Sequence, residues 1–96
     1  MSHEHIQSLL DALENRDLAE AKASLQLMLD SAQQKDMALI QEVTQPVVIT
    51  ELHTKLIETF GVDRRAMMLK NRVPGRDRRA LLFVRAMQNG LNRIVE

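Results

Sequence analysis

The sequence predicts an all-α fold, a small bundle of five or six helices with orthogonal or bundle-like packing. Three observations carry that expectation. Apolar residues recur at three- and four-residue spacing along most of the chain, and no stretch alternates as a strand would. Phe60 and Phe83 are the only aromatic residues besides the histidines, so the core must be assembled from Leu, Ile, Val, Met and Ala, which suit interlocking helices better than a small β-sandwich. Short polar residues of the capping type precede most of the apolar stretches. Residues 1–96 are expected to form one domain with room for a single modest core. An apolar share of 45% with 27% charged residues excludes wholesale disorder.

Ser2 is placed to cap a first helix in which Ile6, Leu9, Leu10 and Leu13 share a face. Asn15-Arg16-Asp17 ends it. Asp17 followed by Glu20 has the form of a capping box and opens a second helix. Leu18, Ala21, Leu25, Met28, Leu29 and Ala32 form its apolar stripe, with Leu27 on the opposite face. Carried straight on, this helix would bury Asp36 without a partner. The chain is therefore expected to kink or restart near residues 33–36, with Asp36 capping a short helix that carries Leu39, Ile40 and Val43.

Pro46 is expected to close that segment. Val47, Val48 and Ile49 then read as a buried approach to a helix capped by Thr50, carrying Leu52, Leu56 and Phe60 and stopped by Gly61. Asp63 is placed to cap a short helix through Met67, Met68 and Leu69, and Pro74-Gly75 marks a turn. Asp77 reads as the cap of the last helix, with Ala80, Phe83, Val84, Met87, Leu91, Ile94 and Val95 on one face. Gly90 inside it weakens the helix by about 1 kcal/mol against Ala, which points to another helix packed closely there.

The formal charge sums to zero, but its distribution is uneven. Residues 1–51 hold nine acids and three bases, a balance of −6, whereas residues 52–96 hold ten bases and four acids, a balance of +6. A split this even argues for self-complementarity, within one chain or between two, or for an anionic partner on the second half. Arg64 and Arg65 follow the expected cap Asp63, and Arg78 and Arg79 follow Asp77. Cations in a first turn oppose the helix dipole, while bare amides beside arginines make an anion site. Lys70, Arg72 and Arg76 lie between the two pairs. On the last helix Arg78, Arg85, Asn89 and Arg93 share the face opposite the core, with Leu82 among them. Against this stands the plain alternative that the run is a solvated face whose arginines cover apolar surface.

Other chemistry has little foothold. The absence of cysteine excludes a disulfide, a thiolate metal site and a cysteine nucleophile, and suits the cytosol. The first residues carry no basic flank and apolar run, and the longest apolar run, Ala80 to Val84, is far too short for a span. A cytoplasmic protein without membrane contact is expected. No glycine-rich phosphate loop, nucleophile elbow or His-Glu helix motif is present, so catalysis is not expected and no cofactor is implied. Met1-Ser2-His3 has the spacing of an amino-terminal Cu(II) or Ni(II) site only while Met1 remains, and His3 and His5 read as flexible surface residues. His53 reads as a half-buried structural residue. Residues 50–72 have the order of a helix-turn-helix, but Ile57 and Arg64 stand where a tight crossing wants a small and an apolar residue.

Residues 9–29, LLDALENRDLAEAKASLQLML, resemble the opening helical hairpin of phage prohead core proteins. Those proteins continue into acidic tails, whereas this chain turns basic. Residues 61–79, GVDRRAMMLKNRVPGRDRR, resemble a segment of the chemotaxis phosphatase family, whose catalytic Gln-Asp signature this chain lacks. Each resemblance covers about a fifth of the chain and assigns no family.

Three functions follow in order of expectation. The first is a non-enzymatic interaction or regulatory module that binds another protein, or itself as an oligomer, through its charged halves. The second is a nucleic-acid-binding regulator using Arg64, Arg65, Lys70, Arg72, Arg76, Arg78, Arg79, Arg85 and Arg93, with Asn89 as a polar reader. The third is a small-anion binder or enzyme at the arginine-topped helix starts.

Overall fold

The computed structural model describes residues 3–67 and 75–94. Six helices and no strand occur among them: α1 (Glu4–Glu14), α2 (Leu18–Gln33), α3 (Met37–Val43), α4 (Pro46–Phe60), α5 (Arg64–Met67) and α6 (Arg76–Asn92). The all-α expectation is met.

Two of the joints use one device. After α1 the chain passes through Arg16 in the left-handed region (φ +54°), and after α2 through Lys35 (φ +59°). The Arg16 N–H donates to Leu13 O at 3.2 Å and the Asp17 N–H to Ala12 O at 2.9 Å. The second joint repeats this, with the Lys35 N–H on Ala32 O at 3.1 Å and the Asp36 N–H on Ser31 O at 3.0 Å. These paired bonds satisfy carbonyls that a helix end leaves open. Each aspartate then turns to the next helix: Asp17 Oδ1 accepts from the Glu20 N–H, and Asp36 Oδ1 from the Ala38 and Leu39 N–H groups. One residue closes a helix with its backbone and opens another with its side chain. The break at Asp36 is thus as expected. The capping box at Asp17 is one-sided, because the backbone donor that Glu20 would reach is already bound to Ala12.

The core is one cluster whose centre is α2 and α6. Leu25, Met28, Val84, Met87 and Leu91 are fully buried, joined by Ile6 and Leu9 from α1, Leu39, Ile40 and Val43 from α3, and Leu52 and Leu56 from α4. Each large aliphatic side chain buried in this way contributes about 1.5–3 kcal/mol. α2 packs against both α1 and α6, and α6 also meets α3 and α5. Gly90 sits buried where α6 crosses the segment before and within α5, and a Cβ there would lie 2.6 Å from Val62 Cγ1 and 3.5 Å from Met67 Cγ. The close approach inferred from Gly90 is real, though its nearest neighbour is Val62, between α4 and α5.

Several expectations need correction. α4 begins at Pro46, not after Ile49: Gln45 is its cap position, without a side-chain bond, and Thr50 lies inside the helix. Proline has no N–H to leave orphaned and its φ already suits a first helical residue, so it opens this helix as well as ending the previous one. Val47 is consequently 69% exposed, not part of a buried approach. The cap position of α6 is Gly75 (φ +89°), and Asp77 stands in the first turn without capping. α1 is capped by His3, not by Ser2, which lies outside the described residues. Met68, Leu69, Pro74 and Val95 lie outside them too. Among the described residues no helix is long and apolar enough to cross a membrane.

Candidate partner-binding surface

Charge follows the helices. α1 carries Glu4, Asp11 and Glu14 without a lysine or arginine, a balance of −3. α6 carries Arg76, Arg78, Arg79 and Arg85 against Asp77, four minus one, a balance of +3. Each packs on α2, and α1 otherwise packs on α4. The three acids of α1 and the four arginines of α6 are exposed.

The arginines are not consumed by the fold. Among the described residues no arginine lies within ion-pair distance of a carboxylate. Arg64 and Arg65 are exposed on α5, with the Arg65 N–H donating to Asp63 Oδ1 at 2.9 Å, so the cap expected at Asp63 forms. Arg76, Arg78 and Arg79 are exposed in and just beyond the first turn of α6, and Arg85, Asn89 and Arg93 are exposed further along. Lys70 and Arg72 lie outside the described residues.

The structure gathers Arg78 and Arg85 on a groove of about 370 Å³ between the end of α2 and α6. Leu81 and Leu82 supply apolar lining, Ala32, Gln33 and Lys35 supply the α2 side, and Asp77 is the one carboxylate of the lining among the described residues. The sequence placed Arg78, Arg85 and Leu82 together but gave no part to Lys35, a base from the acidic half. The signal available was its place just before the cap Asp36, where the left-handed turn brings the end of α2 round. Gln88 Nε2 donates to Gln26 Oε1 at 2.8 Å, tying α6 to α2. Leu27, expected on the outer face of α2, is 48% exposed. Arg64 and Arg65 do not line this groove.

The histidines are better placed than expected. The His3 side chain is only 12% exposed, and its Nε2 lies 2.9 Å from Asp36 Oδ2. Its Nδ1 accepts from the His5 N–H at 3.1 Å, so the proton belongs on Nε2, which donates to Asp36. The His3 N–H also donates to Glu42 Oε1 at 2.9 Å. The reading of His3 as flexible surface is therefore wrong, because partners 33 and 39 residues away hold it. The Asp36 carboxyl is held below its usual range, first by the His3 bond, against an opposing effect of burial, and then by the Leu39 amide, by the His3 charge once that ring is protonated, and by the Ala38 amide. His53 is half-buried as expected and meets Phe83 edge to face at 5.1 Å. Burial, then the charge of Arg64, pushes its pKa down, against a smaller upward pull from the Met67 backbone. Among the described residues no group of three His, Asp or Glu is placed to hold a metal.

No family model, curated protein or solved structure matches the chain.

Proposed function

We propose that the protein is a non-enzymatic, cytoplasmic interaction module that docks an acidic helical surface onto the groove between α2 and α6, with a second copy of the chain as the first partner. One observation carries this reading: Arg78, Arg85 and Lys35 surround an apolar strip of Leu81 and Leu82 with no carboxylate paired to any of them among the described residues. Basic rims around an apolar floor suit an acidic helical surface, whose charges meet the rim and set orientation. The exposed acids of α1 offer such charge on the same molecule.

Light scattering at low and high salt tests it. Association at low salt, weakened by salt and abolished in Arg78→Glu/Arg85→Glu, is expected, because rim charges are screened within about 10 Å at 0.1 M salt. A monomer at both salts that also captures no acidic partner would end the proposal. The row of exposed arginines along α6 supports a second reading, nucleic-acid binding. That reading expects duplex affinity to fall steeply as salt rises, and a mobility shift at low salt decides it. The apolar strip and Asp77 within the groove favour a protein partner.

A further inference from the structure

A second groove, of about 270 Å³, lies between α4 and the start of α5 and is lined by Thr50, His53, Thr54 and Arg64. Thr50 and Thr54 are four residues apart on α4, so their hydroxyls stand one turn apart on one face. Among the described residues neither hydroxyl has a protein partner, and neither does the Arg64 guanidinium. His53 Nε2 is also buried without a hydrogen bond. Two hydroxyls and a guanidinium thus line one groove with their capacity to donate unused, beside a half-buried imidazole.

Among the described residues no carboxylate lines this groove, although the chain has as many acids as bases, 13 of each. The comparably sized groove between α1 and α4 is built differently, with Glu14 and Glu58 set among Arg16, Lys55 and Thr59. A lining that holds a guanidinium and two hydroxyls, with no acid among the described residues, favours an anion. We infer that it binds a phosphoryl group. Three terminal oxygens can accept from both hydroxyls and from the guanidinium fork together, which a planar carboxylate does less completely. At about 30 Å³ of liquid per water, the volume leaves room for more than the phosphoryl group alone. The α2–α6 groove plays no part in this site.

The test is an NMR titration of the full chain at pH 7 and constant ionic strength, following His53 ring signals and the Arg64 side-chain N–H. Inorganic phosphate and glycerol 3-phosphate are the two probes, with chloride as the reference anion. Saturable shifts at both reporters are expected. Arg64→Ala and Thr54→Val should each weaken binding about tenfold, the loss of one charge-assisted or one well-placed hydrogen bond. Arg65→Ala, at an exposed neighbour outside the groove, should leave it unchanged. Tighter binding of the ester assigns a phosphate monoester as ligand, and equal or tighter binding of inorganic phosphate assigns the free ion. Shifts that never saturate, or that fall equally in Arg65→Ala, would mean unspecific attraction to basic surface and would overturn the inference.

Discussion

Asp36 joins the starts of α1 and α3 through one carboxylate. Its Oδ1 caps α3 and its Oδ2 holds His3, whose ring caps α1 and whose backbone reaches Glu42 in the last turn of α3. The carboxyl is held below its usual range, so on acidification the unfolded chain takes up the proton first. Its contribution is complete above the unfolded value and is lost as pH falls through the folded one. Asp36→Ala should cost about 1 kcal/mol at neutral pH through the cap alone, and Asp36→Asn less, since Asn caps nearly as well. Urea midpoints of wild type and Asp36→Asn should converge once pH falls below the folded-state value, and a difference independent of pH would refute the linkage. Ser24 offers the opposite case. It is buried among apolar residues of α2 with an unpartnered hydroxyl, so Ser24→Ala should raise stability by about 1 kcal/mol, read as a higher urea midpoint at unchanged slope.

At the scale of elements, Gly90 gives the sharpest prediction. Alanine would strengthen α6 by about 1 kcal/mol in isolation. In the fold its Cβ would meet Val62 Cγ1 at 2.6 Å, and a β-branched valine has little rotamer freedom to retreat. Overpacking of this kind costs about 1–3 kcal/mol, so Gly90→Ala should lower stability, and Val62→Ala should harm that variant less than wild type. Additive effects in the double-mutant cycle would show that the two residues do not press on each other. The close approach was legible because a glycine inside an apolar helix face weakens the helix and is tolerated where another segment needs the space of a side chain. The break at Asp36 was legible for a related reason, since a carboxylate cannot continue an apolar stripe, and the one at Asp17 from the polar run Asn15-Arg16-Asp17 and the capping spacing to Glu20. The start of α4 was not, because Pro46 satisfies the rules for ending one helix and for opening the next, and Gln45 gives no capping signal. His3 was beyond sequence reasoning, since Asp36 and Glu42 meet it only in the tertiary fold.

For the whole molecule, α1 carries acids without a lysine or arginine while α5 and α6 carry mainly arginines, and no arginine pairs with a carboxylate among the described residues. The part of the site that the sequence showed was its charge. Its shape came from the turn at Lys35, which places a base of the acidic half beside Arg78 and Arg85. A molecule with opposite charges on different faces can bind its own kind with no change of net charge, and a charge-swap experiment separates this from general stickiness. Asp11→Lys/Glu14→Lys turns the acidic face basic, and both substitutions fall in the later part of α1, where the helix dipole tolerates a cation. Arg78→Glu/Arg85→Glu makes the other face acidic, and the first of its two substitutions lies near the start of α6, where the dipole favours an acid. Neither variant should associate alone at low salt, since like charges then face each other across any contact. Mixed in equal amounts they should form a heterodimer, because the intact basic groove of the first variant meets the intact acidic α1 of the second. Association of either variant alone would show that the contact is not built on these charges. Failure of the mixture to associate would move the partner for the groove from a second copy to another acidic protein.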